Sequence, residues 1–274
     1  MSNKIDSKVK KGEYEIIIVD NCSTDDTAQH IAKYLKDKNE WEGHVKFERS
    51  KINLGYANGI NLAAEKAVGD ILIIINPDAE LLEADFDSII DCFATDKKIA
   101  VVGFRLVDAL GKNENTAGRF YNPLTFLTYS LGLERFFPLR FSPEKSTEVD
   151  FVSGGFIAIR NETFKLLNGY DKDYFMYVED MDFCYRVKEL RMKCLYIPSA
   201  IIRHIGQGSS NREFAVVSIY KGLQIFYSKH GSLFMQQYVK NLLSLKAALI
   251  IFIASIFGKR ELATTYQHAL KIIK

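Results

Sequence analysis

The sequence predicts an α/β fold, a mostly parallel sheet flanked by helices, with a helical appendage at the C-terminus. Three observations predict it. Short apolar, β-branched runs alternate with segments whose apolar residues recur every three or four positions. Two of those runs end in acidic residues, at Asp20 and at Asp78, as strands opening onto a polar site would. From Phe214 onward the alternation stops and only helical, amphipathic spacing remains. Alternation of strands and helices favours a parallel sheet covered on both faces.

Residues 16–19 are apolar and β-branched and read as a buried strand. Ser23 and Asp26 have capping-box spacing, with Thr24 a competing cap, and Ala28, Ile31, Ala32 and Leu35 then recur as on a helix. Residues 44–50 read as a strand, 56–68 as a helix and 70–75 (DILIII) as the strongest strand. A helix over 86–94 and a strand over 99–104 follow. The rhythm is lost over 108–148, where Gly, Asn, Pro and aromatic residues mix as in a long excursion beside a site. It returns with strands at 149–153 and 156–160, a helix through Leu167, a helix over 180–191 and strands at 193–197 and 201–205. The boundary between the α/β domain and the helical segment falls at 212/213.

The chain has 274 residues and is 47% hydrophobic, enough for a full core. Its net charge of +2 lacks the basic bias of a nucleic-acid binder. Cys22, Cys92, Cys184 and Cys194 lie far apart with no CxxC pair, which favours free thiols over a zinc site. The N-terminal residues are polar and lysine-rich, without the apolar core of a signal peptide, and this favours a cytoplasmic location.

Five places can carry chemistry. Asp20-Asn21 and Asn76-Pro77-Asp78 stand at the carboxyl ends of two strands of one inferred sheet. Asp78 sits where a metal-bound phosphate can be held, because Mg²⁺ and Mn²⁺ favour one or two carboxylates plus phosphate oxygens. Either acid alone reads equally well as a turn or cap residue. Between them, residues 53–67 place Gly55 and Gly59 for close backbone approach to a ligand, and Asn53, Asn58 and Asn61 for hydrogen bonding. Neither a GxGxxG after a strand nor a GxxxxGK[ST] is present. In residues 175–190, Asp180, Phe183, Cys184, Val187 and Leu190 share one helical stripe, so Asp180 faces inward as a cap or a general base. Asp182 instead pairs with Arg186 at i,i+4, as a surface pair would. His204 ends an apolar run before a Gly/Ser loop, where it is either structural or a metal ligand.

Taken in order, VDNCSTDDT, NLGYANGINLA, INPD, VSGGFIAIR, FMYVEDMDFCYRVK and HIGQGSS resemble the motifs of family 2 glycosyltransferases, nearest to the bacterial rhamnosyltransferase-like branch. The resemblance covers roughly residues 14–210. It implies a GT-A fold and inverting transfer from a nucleotide diphosphate sugar to a glycan or lipid-linked acceptor in cell-surface polysaccharide synthesis, with a divalent cation, Mg²⁺ or Mn²⁺. By motif, Asp20 and Asn21 fall at the nucleotide base; Asn53, Gly55, Asn58 and Asn76 lie beside the nucleotide sugar; Gly154 and Gly155 border the sugar and acceptor. Asp78 closes a DxD-like element that reads Asn-Pro-Asp, and His204 matches a histidine that completes the metal site in some relatives. In Glu179-Asp180, Asp180 matches the catalytic base. Relatives open with a strand ending in a motif such as N-Y-N, then a helix; residues 1–13 are too few and too polar to supply both, so an N-terminally truncated domain is expected. A remnant that binds nucleotide sugar or a partner is the alternative function.

Residues 246–257 (KAALIIFIASIF), with Lys240, Lys259 and Arg260 around them, are too short a run to span a bilayer, which takes about 20 residues. Basic flanks suit peripheral contact of 240–260 with the inner membrane face; a core or homodimer helix is the other reading.

Overall fold

The computed structural model describes residues 3–38, 41, 43–83, 85–134, 138–153, 155–204 and 211–273. The polar start forms a short helix, α1 (Asn3–Lys10), whose Val9 is fully buried. Strand β1 (Ile16–Asp20) leads through a polar turn to helix α2 (Thr27–Lys36), then β2 (Val45–Arg49) and α3 (Gly55–Lys66). No side chain caps α2 through Asp26; instead Asp25 accepts from the Thr27 amide at 3.1 Å. The expected capping box at Ser23 is therefore not formed. Ser23 donates its own amide to Asp20 Oδ1 at 2.9 Å.

The apolar run DILIII becomes β3 (Ile71–Ile75), and Pro77 turns the chain into β4 (Ala79–Glu83), a strand that sequence spacing does not reveal. Helix α4 (Phe86–Thr95) and β5 (Ile99–Val107) follow. The irregular stretch holds β6 (Asn113–Glu114), β7 (Ala117–Gly118), α5 (Pro123–Ser130) and β8 (Arg140–Phe141). Next come β9 (Thr147–Val149), β10 (Phe151–Val152), β11 (Phe156–Arg160), α6 (Asn161–Leu166) and α7 (Glu179–Glu189). The two strands expected at 193–205 are one, β12 (Lys193–His204), whose register shifts between Ile197 and Ile201 around Pro198. Helices α8 (Arg212–His230), α9 (Leu233–Ile256) and α10 (Arg260–Ile273) complete the chain.

The central sheet runs β3-β11-β5-β12-β4 and is mixed rather than mostly parallel. Only β5 and β12 run parallel within that path; β11 opposes both β3 and β5, and β4 opposes β12. β3 and β4 follow one another in the chain yet stand at opposite ends of this path, and the strands beside them, β11 and β12, run against them. β1 and β2 form a separate parallel pair. Among the described residues, β1 and β3 each have one strand neighbour and are not joined to each other.

Alternation along β5 sends Val102, Phe104 and Leu106 to one face, where they pack with Phe86, Ile89 and Phe93 of α4. The opposite face carries a larger core, in which Val101, Ile157 and Ile159 meet α3, α6 and α7 and continue into Tyr220, Phe226, Val239 and Leu243 of the C-terminal helices. These helices therefore share the core of the α/β body.

Asp182 corrects the sequence reading. Its i,i+4 pair with Arg186 exists, at 2.8 Å, but the carboxylate is completely buried rather than on the surface. It also accepts from Tyr174 Oη at 3.2 Å and faces His230 Nε2 of α8 at 2.8 Å. Arg186 spends its remaining donors on the carbonyls of Leu167 and Gly169. Removing one member of such a buried set leaves the others unpaired. Asp182→Ala is expected to cost about 3–5 kcal/mol in chemical denaturation, and Asp182→Asn, which keeps acceptor and shape, less.

Candidate active site

The register of the sheet gathers the residues. β4 and β12 pair His204 with Ala79, which brings His204 beside Asp78 at the end of the β3–β4 turn. His204 Nε2 lies 3.3 Å from Asp78 Oδ2. On its other edge, Nδ1 lies 3.6 Å from Glu114 Oε1 of β6, a residue no sequence signal singled out. The Asn76 amide donates to Gly155 O at 3.1 Å, so Gly155 and the Asn-Pro-Asp turn touch. Gly154 and the residues 205–210 of the Gly/Ser loop lie outside the described residues.

The residues at the end of β1 and the start of α3 form a tight knot. Asn21 Oδ1 accepts from the Leu54 amide at 3.0 Å, and Asn21 Nδ2 donates to Gly55 O at 2.9 Å. Asn53 Oδ1 accepts from Asn21 Nδ2 at 3.2 Å and from the Gly55 amide at 3.0 Å. Asn58 Nδ2 donates to Leu54 O at 3.0 Å. Asp20 is almost wholly buried, ion-paired with Arg49 at 3.1 Å and holding the Ser23 amide. In this structure Asp20 and Asn21 thus brace the end of β1 against the start of α3. Gly55 has φ +78°, and a Cβ there would collide with the Phe175 carbonyl and ring, so only glycine fits where α3 meets the 173–178 loop.

That loop ends in strain. Tyr177 and Val178 both have positive φ, 69° and 73°, immediately before Glu179. For a β-branched residue this is an outlier of the kind that clusters at functional sites, at about 1–3 kcal/mol each. Gly222 of α8 packs against it, and a Cβ there would come within 2.8 Å of Val178 Cγ2. The strained turn aims the first residues of α7 at the site.

Asp180, Glu179 and Asp78 all act on the Tyr56 hydroxyl, whose pKa is raised well above its ordinary value by burial and by these three charges. The turn after β3, the start of α3 and the start of α7 therefore converge. Tyr170 is raised in the same way, by burial first and then by Asp180, Tyr56 and Glu179. Neither tyrosine was singled out in the sequence, although Tyr56 stands inside the NLGYANG motif. Glu179 is buried, and burial followed by the Asp180 charge pushes its carboxyl well above the usual carboxylate range, while Arg140 pulls weakly the other way.

A model of the family described as "Glycosyl transferase family 2" matches residues 4–167. The chain belongs to glycosyl transferase family 2. The family 2 chain is 25% identical over 240 residues to the N-acetylglucosaminyl-diphospho-decaprenol L-rhamnosyltransferase of Mycobacterium tuberculosis (strain CDC 1551 / Oshkosh), covering 79% of this chain and 75% of that protein. It is also 27% identical over 168 residues to the rhamnosyltransferase WbbL of Escherichia coli (strain K12), covering 58% of this chain and 63% of that protein. Among solved structures it is similar to GalNAc-T7 with UDP, GalNAc and Mn²⁺ at a TM-score of 0.54 and 19% identity, covering 83% of this chain and 48% of that one. It thus spans about half the length of that protein. The mannosyltransferase PcManGT from Pyrobaculum calidifontis, in complex with GDP-Man and Mn²⁺, is similar at a TM-score of 0.53 and 14% identity, covering 94% of this chain and 76% of that one. The fold is GT-A, and the family 2 chain is a glycosyltransferase.

The donor set fits a divalent cation bound with phosphate. Asp78 Oδ1 and Asn76 Oδ1 are buried oxygens without a hydrogen-bond partner among the described residues, and the His204 imidazole stands beside Asp78. Among the described residues, no three His, Cys, Asp or Glu side chains form a ready cage, so substrate oxygens and water would supply the remaining ligands.

Glu179 makes a testable pH signature. Its folded pKa is raised, so the folded state keeps a proton that the unfolded chain releases above about pH 4.3. Stability contributed by this proton falls as pH rises from there towards the raised folded value. Glu179→Gln is expected to melt like the wild type near pH 4 and higher than it at pH 7, by about 2–4 °C per kcal/mol relieved. Thermal denaturation across that range measures it.

Proposed function

We propose that this glycosyltransferase moves a sugar, with inversion, from a nucleotide diphosphate sugar to a glycan or lipid-linked acceptor in cell-surface polysaccharide synthesis. The observation that carries the proposal is the convergence of Asp78, which follows β3, and of Glu179 and Asp180, which open α7, on Tyr56 of α3. The name of the M. tuberculosis relative supports rhamnose as the sugar and a lipid diphosphate as the acceptor. The UDP and GDP-Man bound to the structural neighbours support a nucleotide-linked donor.

In this reading Asp180 takes the proton from the acceptor hydroxyl as that oxygen attacks the anomeric carbon. Burial and the Asp180 charge both push the Glu179 carboxyl above the usual carboxylate range, which favours Asp180 as the base. Asn21, Asn53, Gly55 and Asn58 shape the nucleotide pocket, with Asp20 bracing it from below. Asn76 and Gly155 border the diphosphate and sugar. Asp78 and His204 would hold a divalent cation, Mg²⁺ or Mn²⁺, which would supply charge neutralisation for the departing diphosphate.

The C-terminal helices suit a lipid-linked acceptor. The sequence run at 246–257 belongs to a 24-residue helix, α9, long and apolar enough by length and composition to cross a membrane. Val239, Leu242, Leu243, Ala247 and Ala254 are nevertheless buried against the protein. Leu245, Leu249, Phe252, Ile253, Ile256 and Phe257 stay exposed at helical spacing along the opposite face. Exposed Lys259 and Arg260 flank them. Such a face lies along an anionic bilayer rather than through it. A homodimer through the same face is the competing partner.

A second reading, a chain that binds nucleotide sugar or a partner without turnover, draws on the separation of β1–β2 from β3. Asp180→Asn decides between the two. Under the first reading it lowers transfer or donor hydrolysis by about 10²–10⁴-fold while calorimetric nucleotide binding persists. Nucleotide binding without turnover in the wild type supports the second. For the lipid face, Phe252→Glu with Phe257→Glu is expected to abolish co-sedimentation with phosphatidylglycerol vesicles. Unchanged sedimentation together with loss of a dimer in light scattering assigns the face to a second copy.

A further inference from the structure

We propose that Glu114 is the positioning residue of the cation site: it accepts the Nδ1–H of His204 and so turns the Nε2 lone pair towards the ion beside Asp78. This rests on the reading of Asp78 and His204 given above.

The argument begins with the ring. The two nitrogens of an imidazole lie on different edges, and here each edge meets a different carboxylate. Nε2 lies 3.3 Å from Asp78 Oδ2, and Nδ1 lies 3.6 Å from Glu114 Oε1. The ring therefore stands between the acids. Glu114 is placed to hold the histidine rather than the ion. At 3.6 Å its contact is longer than a hydrogen bond, and a side-chain rotation of roughly half an ångström closes it.

Backbone register makes the contact a property of the fold. Glu114 pairs with Leu106 of β5, and Leu106 pairs with Ile202 of β12. Residues paired across strands point to the same face, and so do residues two apart on one strand. Glu114, Leu106, Ile202 and His204 therefore share a face. Leu106 and Ile202 anchor it in the core against α4. Above them the two polar side chains meet at the rim, where β4 delivers Asp78 through the pairing of Ala79 with His204. The β5–β6 hairpin thus reaches across the end of the sheet to the outer edge of the histidine.

Ligating histidines commonly donate their second N–H to a carboxylate or carbonyl, which fixes the tautomer and raises ligand basicity. Losing that partner costs about 10–100-fold in metal affinity. Glu114 stands where His204 needs that partner, one small side-chain movement from Nδ1.

The experiment titrates Mn²⁺ alone into the purified full chain and counts free ion by electron paramagnetic resonance. It compares the wild type with Asp78→Asn, Glu114→Ala and Glu114→Gln. Circular dichroism melts confirm the fold of each. Glu114→Ala is expected to weaken Mn²⁺ about 10–100-fold, and Glu114→Gln, which keeps an acceptor for Nδ1–H, to weaken it less. In ¹⁵N-histidine spectra recorded with Mg²⁺, His204 is expected as the Nδ1–H tautomer in the wild type and to lose that preference in Glu114→Ala. Wild-type affinity and tautomer in Glu114→Ala, with loss in Asp78→Asn, overturn the role of Glu114 and leave the cation site standing. Equal Mn²⁺ affinity in the wild type and Asp78→Asn overturns the cation site itself, and this proposal with it.

Discussion

Asp182 is the point on which the rest of the molecule turns. A fully buried carboxylate is tolerated only when its lone pairs are met, and here Tyr174, Arg186 and His230 meet them. Each partner belongs to a different part of the chain. Tyr174 lies on the loop before α7, Arg186 on α7 itself and His230 at the end of α8. Arg186 extends the tie to the carbonyls that follow α6. The consequence is felt two residues away. The start of α7, with Glu179 and Asp180, is held at one angle against α8, and the strained Tyr177–Val178 turn is pinned by Gly222. Without that tie, nothing local would keep two consecutive residues at positive φ.

The site so assembled is short of positive charge. Asp78, Glu179 and Asp180 approach the same tyrosine hydroxyl, and Glu114 stands just beyond His204. Like charges this close are held apart in energy by protonating one of them or by adding a cation. Burial and the Asp180 charge push the Glu179 carboxyl towards its protonated form, and the Asp78–His204 pair presents oxygen and nitrogen donors of the kind a divalent cation takes. A site built on this imbalance favours a ligand that arrives with its own counter-ion.

Much of this was legible in the sequence because it is local. The run DILIII followed by Asn-Pro-Asp ends a strand wherever it sits, since Pro77 removes a donor. The stripe of Phe183, Cys184 and Val187 marks one face of α7 from spacing alone, and all three are buried. The motifs lead to the expectation that Asp78, Asp180 and His204 share one site, and Asp78 and His204 are neighbours in the fold. What escaped was set by partners distant in the chain. Asp182 and Arg186 have the spacing of an ordinary surface pair, and only the arrival of α8, with His230, buries them. Glu114 sits in a stretch without periodicity and acquires its neighbour through the pairing of β6 with β5. The antiparallel returns of β4 and β11 also depend on pairings between distant segments, so alternation of strand and helix read as a parallel sheet.

By itself the sequence determined the element types along most of the chain, the α/β class and the family, because periodicity, turn residues and ordered motifs are properties of neighbouring positions. Tertiary structure alone decided the mixed order of the sheet, the burial of Asp182, the strained approach to Glu179 and the meeting of Glu114 with His204. Each of these is a pairing across tens of residues or more, and its energy is realised only when water is excluded from between the partners.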